Sequence, residues 1–150
     1  MEREREKHPI IYADNAATTK PLQCAINAAE RCFTDLWGNP SSIHKAGRDA
    51  KKVVENAREM ISYYIGARTD EIIFTSGGTE ADNLAIFSAA AYGEKLGNKH
   101  IVASNIEHHA VGHALELLAK TRGFEITYVP CDLRGFICAE DIASAIRPDT

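Results

Sequence analysis

The run Thr75-Ser76-Gly77-Gly78-Thr79-Glu80 joins an apolar segment to a segment with helical periodicity, and its residue types suit phosphate binding. Two adjacent glycines let the backbone approach a ligand without an intervening Cβ atom. The free amides at the start of a helix, together with the helix dipole, favour an anion at that place. Taken alone, the run is equally compatible with a plain strand-to-helix turn in which Thr79 is the N-cap.

The glycine-rich run differs from the common nucleotide-binding loops. A P-loop would end in Gly-Lys followed by Ser or Thr, and the chain has no such ending here. The Gly-x-Gly-x-x-Gly fingerprint of dinucleotide-binding folds is also absent from it. We therefore expect a small phosphorylated cofactor in preference to a nucleotide.

A histidine cluster, Glu107-His108-His109-Ala110-Val111-Gly112-His113, follows a second apolar segment. Ligands of open α/β sheets bind beyond the carboxyl ends of the strands, so we expect this cluster on the same rim as the glycine-rich run. An imidazole there could stack on an aromatic ring or move a proton. His109 and His113 are four residues apart, which leaves metal ligation and ordinary packing open. Because the glutamate of a His-Glu-x-x-His site is missing, we predict no metal site.

Two polar loops, residues 14–19 and 38–44, complete the set of segments that could contribute to a site. Pairs such as Asp14-Asn15 and Asn39-Pro40 are common turn formers. In isolation these loops indicate turn chemistry only.

Strand-like and helical segments alternate along the chain that carries these residues. Short apolar runs predict strands at 10–12, 71–74, 100–103 and 125–129. Helical spacing of apolar residues predicts helices at about 21–36, 46–65, 80–92, 109–120 and 139–146. This alternation predicts a three-layer α/β/α architecture with crossover helices and a largely parallel or mixed sheet.

Composition narrows the class of protein. Hydrophobic residues make up 45% and charged residues 25% of the chain, as in an average soluble domain. The net charge of −4 gives no electrostatic reason to expect nucleic acid or an acidic membrane surface as partner. No segment approaches the roughly 20 apolar residues of a membrane span. The four cysteines are thinly spread and lack Cys-x-x-Cys spacing, which favours free thiols in the cytoplasm.

The two ends of the chain carry further expectations. Residues 1–8 are charged and lack an apolar signal-peptide core, so we expect a flexible tail. The residues Arg147-Pro148-Asp149-Thr150 stand where the next strand should begin. We therefore expect residues 9–150 to be the incomplete N-terminal part of a larger domain.

Together, these segments resemble the cysteine desulfurases, within the class V aminotransferase-like branch of the fold-type I pyridoxal-phosphate enzymes. Four motifs occur in the order typical of that family. They are Tyr12-Ala13-Asp14-Asn15-Ala16-Ala17-Thr18-Thr19, Gly38-Asn39-Pro40-Ser41-Ser42 with His44, Phe74-Thr75-Ser76-Gly77-Gly78-Thr79-Glu80-Ala81-Asp82-Asn83-Leu84, and Glu107-His108-His109-Ala110-Val111. The similarity extends over nearly the whole chain.

The resemblance implies a role for each matching residue. Gly78 and Thr79 would bind the phosphate of pyridoxal 5′-phosphate, and His108 would stack on the pyridine ring and shuttle protons. The loop of Asn15, Ala16 and Ala17 would border the amino-acid end of the substrate. Asn39 would shape the wall of the active site near a dimer interface.

The resemblance also implies an activity for the full-length protein. A cysteine desulfurase transfers sulfur from L-cysteine to an enzyme cysteine as a persulfide and releases L-alanine. The expected partners are a second copy of the chain and a sulfur acceptor or iron–sulfur scaffold protein. The family's Schiff-base lysine, the aspartate that faces the pyridine nitrogen and the catalytic cysteine lie further along, and no segment here matches their motifs. We therefore predict that these 150 residues alone are inactive.

Four alternatives stay open. Two are enzymes of the same branch, a selenocysteine lyase and an aminotransferase. The third is a catalytically inert binding or scaffold fragment, and the fourth is a metal protein that uses the histidine cluster.

Overall fold

A computed structural model describes residues 11–150, and the chain divides into two units with the boundary after Ile72. The tail expected at residues 1–8, and Ile10 of the first predicted strand, lie outside the described residues. Residues 11–12 belong to no regular element. The assignment of residues 9–150 to one incomplete domain stays a prediction.

The first unit consists of helix α1 (Gln23–Thr34), helix α2 (Lys45–Ile65) and a single 3₁₀ turn (Thr69–Glu71). Helix α2 ends at Ile65, the last residue of the predicted helix, and Gly66 is its C-cap. The φ angle of Gly66 is +68°, in the left-handed region where glycine is favoured.

The start of α1 differs slightly from the prediction. Pro21 was expected in the first turn, but Leu22 is the N-cap and the helix begins one residue later. The carbonyl of Leu22 accepts the first helical hydrogen bonds, from the amides of Ala25 and Ile26 at 3.0 and 3.1 Å. Pro21 therefore lies just outside the helix, where its missing N–H removes no helical hydrogen bond.

The strand predicted at residues 71–74 is wrong. Glu71 ends the 3₁₀ turn, and residues 72–75 belong to no strand of the described sheet. Ile72 does have extended backbone angles, with φ −91° and ψ 121°. An extended segment becomes a strand only where a neighbour supplies ladder hydrogen bonds, and the local apolar pattern carries no information about that neighbour.

The second unit contains the predicted β–α–β arrangement. Its elements are α3 (Gly78–Leu96), β1 (His100–Ser104), α4 (His109–Arg122), β2 (Glu125–Val129) and α5 (Ala139–Ala145). The two strands are parallel, with His100 opposite Glu125 and Ser104 opposite Val129. Helix α4 is the crossover between them, as expected for parallel neighbours.

The core of the second unit lies where the two long helices meet the sheet. Leu118 of α4 is completely buried and packs with Ala90 of α3 and with Phe124. Ile101 and Ile126, one from each strand, pack against this cluster. Burying a leucine side chain contributes about 1.5–3 kcal/mol, so this cluster stabilises the packing of α3 and α4 on the sheet.

The last four residues are held beside β1. His100 is buried, and its backbone amide donates to the carbonyl of Asp149 at 3.2 Å. Its two ring nitrogens lie 2.8 Å from the hydroxyls of Thr150 and Thr127. No helix among residues 11–150 is long and apolar enough to cross a bilayer.

Candidate active site

The glycine-rich run forms the N-terminus of α3, but its cap is not the residue expected. Gly77 is the N-cap, and Thr79 is the second residue of the helix. The carbonyl of Gly77 accepts the first helical bond, from the amide of Ala81 at 3.1 Å. An N-cap reading of Thr79 is therefore wrong, because the helix starts before it. The amides of residues 78–80 belong to the first turn, where intrahelical partners are lacking.

Neither packing nor backbone conformation requires glycine at positions 77 and 78. A Cβ atom added to Gly77 or Gly78 would meet no atom within 4 Å. Gly77 has extended backbone angles, with φ 166° and ψ 178°, which any residue adopts. Gly78 lies in a helix, where glycine is less stable than alanine by roughly 0.5–1 kcal/mol. The missing side chains thus leave the space around both Cβ positions open, beside a helix N-terminus whose amides favour an anion.

Hydrogen bonds of three side chains tie the run together. The Glu80 carboxylate accepts hydrogen bonds from the amide and the hydroxyl of Ser76, at 2.7 and 2.6 Å. These bonds, the one from the hydroxyl first, hold the pKa of Glu80 below its ordinary value. The hydroxyl of Thr75 donates to the carbonyl of Gly77 at 3.1 Å. Among the described contacts, the Thr79 hydroxyl has no partner and is available as a donor.

His108 lies at the N-terminus of α4, as Gly77 does at the N-terminus of α3. It is the N-cap of α4, and its ring atom Nδ1 accepts a hydrogen bond from the amide of Ala110 at 3.1 Å. The neutral ring must therefore carry its proton on Nε2. The side chain is exposed, so Nε2 can reach a ligand.

The two helix N-termini lie at the same end of the second unit. Arg122, at the end of α4, forms an ion pair and hydrogen bonds with Glu94, near the end of α3. At 1.5 Å per residue, Gly78 lies about 24 Å and His109 about 20 Å back along their helices from this pair. Because α3 and α4 both precede parallel strands and pack side by side, Gly78, Thr79 and His108 share one end of the unit.

The other histidines of the cluster form a stacked pair. The rings of His109 and His113 are 5.8 Å apart between centroids, with an angle of 17° between their planes. Residues 11–150 contain no group of three or more side chains placed to hold a metal ion. Two imidazoles alone fall short of the four ligands that a structural zinc site uses.

The residues expected at the substrate side lie in the first unit. The turn of Asn15, Ala16 and Ala17 is closed by a hydrogen bond from the Ala17 amide to the carbonyl of Asp14, at 3.2 Å. The three side chains are exposed. No hydrogen bond of the described residues links this turn to Asn39.

Asn39 organises the loop that precedes α2. Its Oδ1 atom accepts from the amide of Ser41, and its carbonyl accepts from the amide of Ser42, both at 2.9 Å. This arrangement uses the side-chain oxygen inside the loop. The exposed amide group of Asn39 is left to donate to a ligand.

Sequence reasoning missed the glycine on which this loop rests. Gly47 is buried in the first turn of α2, and its amide donates to Nδ1 of His44 at 3.4 Å. A Cβ atom at position 47 would overlap the carbonyl oxygen of Ser42 and lie 2.7 Å from that of Asn39. A glycine within a helical pattern was the available signal, since glycine weakens a helix and suits a position that another backbone segment approaches closely.

The chain is similar to known proteins over most of its length. The family model described as aminotransferase class-V matches residues 11–150. The cysteine desulfurase IscS of Dictyoglomus turgidum is 48% identical over 141 residues, covering 93% of this chain and 35% of the relative. The selenocysteine lyase of Xenopus tropicalis is 41% identical over 152 residues, with the same two coverages of 93% and 35%. The chain thus spans about a third of the length of the curated relatives it matches.

Solved structures with a similar fold also cover most of the chain. A NifS-like protein superimposes with a TM-score of 0.83 at 33% identity, covering 91% of this chain and 37% of the other. SspA in complex with cysteine superimposes with a TM-score of 0.82 at 34% identity, covering 92% of this chain and 39% of the other. These structures confirm the predicted α/β fold of the pyridoxal-phosphate enzymes.

Proposed function

The chain belongs to the aminotransferase class-V family, and we propose that it is the N-terminal part of a pyridoxal-phosphate-dependent cysteine desulfurase. Proteins of this family depend on pyridoxal 5′-phosphate. One observation carries the proposal beyond family membership. Gly77 and Gly78 stand at the N-terminus of α3, where neither packing nor backbone conformation requires glycine. Their missing side chains leave the space there open.

The residues at that end of the second unit fit the cofactor. Gly78 and Thr79 bind its phosphate through the backbone amides of the first helical turn and the Thr79 hydroxyl. His108 stacks its ring on the pyridine ring. The hydrogen bond from the Ala110 amide to Nδ1 fixes the orientation of the imidazole ring and leaves its Nε2 proton facing outward.

The proposed reaction moves sulfur and leaves the remaining atoms of L-cysteine as L-alanine. When bound, pyridoxal phosphate supplies an electron sink for the substrate. A thiolate of the enzyme attacks the substrate sulfur, the carbon–sulfur bond breaks, and a sulfur–sulfur bond forms as an enzyme persulfide. A proton taken up at the former Cβ completes alanine, and His108 moves protons through Nε2.

The polar loops of the first unit serve the substrate. The turn of Asn15, Ala16 and Ala17 borders the amino-acid end of L-cysteine, and Asn39 forms part of the wall with its free amide group. Short loops of small residues suit this task because they let backbone groups approach a ligand closely.

The remaining components of the enzyme lie outside these 150 residues. We propose that the cofactor-binding lysine and the thiol nucleophile belong to a later part of the protein, so that the chain alone is inactive. The protein acts as a cytoplasmic homodimer and passes sulfur to an acceptor, such as an iron–sulfur scaffold protein. The four free cysteines suit a reducing compartment.

A selenocysteine lyase is the second candidate. It is favoured by the Xenopus tropicalis relative, which is nearly as similar to this chain as the desulfurases are. The chemistry differs in the atom transferred, and the residues of this chain would bind the cofactor in the same way.

The test is a product analysis of the full-length protein incubated with pyridoxal phosphate and L-cysteine. We expect alanine and protein-bound persulfide sulfur in equal amounts. Turnover of L-selenocysteine without turnover of L-cysteine would support the lyase, and an oxo acid without sulfur transfer would support an aminotransferase. A protein that binds no pyridoxal phosphate would overturn the proposal and favour an inert scaffold.

A further inference from the structure

The Glu80 carboxylate bridges the two glycines of the run, from the first turn of α3 back to Ser76. Glu80 is the third residue of α3, and it reaches back to the amide and hydroxyl of Ser76, which precede the helix. Both hydrogen bonds end on the same oxygen, Oε2. The tie therefore encloses Gly77, Gly78 and Thr79, and the amides of Gly78 and Thr79 belong to the first helical turn, where intrahelical partners are lacking.

This tie matters because glycine gives the backbone unusual freedom. Gly77 and Gly78 have no side chains to pack, and their Cβ positions have no neighbours within 4 Å. Two consecutive glycines lose more conformational entropy on ordering than other residues would. Two further described hydrogen bonds reach the run, from the Thr75 hydroxyl to the Gly77 carbonyl and from the Asn83 side-chain amide to the Thr79 carbonyl. The tie between Glu80 and Ser76 differs from these bonds because it bridges both glycines, joining the residue that precedes them to the first turn of the helix.

Glu80 also places a negative charge near a site for an anion. Its carboxylate is exposed to water, where repulsion between two charged groups is strongly screened. Ordering two glycines before a ligand arrives removes an entropy cost from binding, and this gain outweighs a screened repulsion. The acceptor oxygen of Glu80 is thus more important than its charge.

We propose that Glu80 is a positioning residue, which holds the amides of Gly78 and Thr79 in place for the cofactor phosphate by accepting both hydrogen bonds from Ser76. The inference rests on the proposed function, because it concerns the affinity of the same site. It assigns Glu80 no contact with the cofactor and no part in the chemical step.

The experiment measures the apparent dissociation constant of pyridoxal phosphate for the full-length apoprotein and its variants. Glu80→Ala removes the acceptor and should raise the constant about tenfold. Glu80→Gln keeps an acceptor oxygen but no charge, and should stay within about threefold of wild type. A purely structural role of the helix start would lower the melting temperature of both variants without separating their cofactor affinities.

Ser76→Ala provides a second route should Glu80→Ala fail to fold. It removes the hydroxyl bond, leaves the bond from the backbone amide, and should raise the dissociation constant about threefold. Combined with Glu80→Ala it should add nothing, because both changes break one tie.

These measurements distinguish a failure of the proposed function from a failure of the positioning role of Glu80. A wild-type protein that fails to bind pyridoxal phosphate refutes the proposed function itself. Wild-type binding that Glu80→Ala leaves unchanged or strengthens refutes the positioning role alone. Equal losses in Glu80→Gln and Glu80→Ala would also refute it, since the charge and not the acceptor would then matter.

Discussion

Gly47, in the first turn of α2, lies directly against the carbonyl oxygen of Ser42, so closely that a Cβ atom would overlap that oxygen. The same atom would lie 2.7 Å from the carbonyl oxygen of Asn39. The loop that carries Asn39 thus rests on the start of the helix that follows it. Both oxygens belong to the backbone, so a side chain at position 47 displaces the loop itself.

Replacing Gly47 by alanine should therefore destabilise the protein by about 1–3 kcal/mol, the usual cost of overpacking. Gly112, in α4, is the matched control, since a Cβ there meets nothing within 4 Å. Gly112→Ala should leave stability unchanged or raise it by up to about 1 kcal/mol. Urea unfolding of both variants checks the pair. Equal stability of the two would show that the Asn39 loop does not rest on Gly47.

His108 combines two roles that substitution can separate. Asparagine is among the best N-cap residues, so His108→Asn should keep the start of α4 within about 0.5 kcal/mol of wild type. It has no ring to stack and no imidazole to move a proton, so we expect turnover of L-cysteine to fall about 100-fold. Thermal melts and alanine release measure the two effects. Wild-type turnover in His108→Asn would refute the catalytic role of the ring.

The ion pairs around Arg147 make stability depend on acid pH. Arg147 donates to both carboxylate oxygens of Glu125, at 2.7 and 2.9 Å, and to Asp149. These hydrogen bonds lower the pKa of Glu125 and of Asp149. A depressed folded-state pKa gives stability that is present above the ordinary value and is lost as pH falls through the lower, folded-state value. The melting temperature should therefore drop as the pH is lowered from about 5 to about 3.

The variant Arg147→Gln should flatten this acid dependence. Arg134→Gln is the control, because the pKa of Asp132 is lowered chiefly by the backbone amides of Phe136 and Arg134, which the substitution leaves in place. Melting temperatures recorded between pH 3 and pH 7 compare the two variants. An unchanged slope in Arg147→Gln would mean that other carboxylates dominate acid unfolding.

The 150-residue chain by itself should release no sulfide or alanine from L-cysteine, even with pyridoxal phosphate added. The reason is chemical, since the residues proposed here anchor a phosphate and stack on a ring but supply no covalent nucleophile. A coupled assay for alanine measures this, with the full-length protein as positive control. Turnover by the short chain at a comparable rate would contradict the division of roles.

Much of the fold could be predicted because the signals were local. Helix α2 ends at Ile65, and strand β2 occupies residues 125–129, both as predicted. The family assignment, which depended on four motifs in order, is confirmed. Helix α3, by contrast, runs through Gly93 and ends at Leu96, beyond the predicted end near Tyr92, because an isolated glycine does not stop a helix.

What could not be predicted depends on contacts between distant or differently oriented groups. The apolar residues at 71–74 have strand character, but a strand also needs a neighbour that the local pattern does not specify. The cap formed by Nδ1 of His108 and the close approach of Gly47 to Ser42 are matters of geometry. Sequence identifies the residue type at such positions, and only the folded backbone shows what it touches.

Gly78 and its neighbours are proposed to anchor the phosphate of pyridoxal 5′-phosphate. The most direct measurement compares the affinities of the full-length protein for pyridoxal phosphate and for pyridoxal, in wild type and in Gly78→Ala. The added Cβ meets nothing in the free protein, so stability should be retained. We predict that the preference for the phosphorylated form falls at least tenfold in the variant. An unchanged preference would contradict the account.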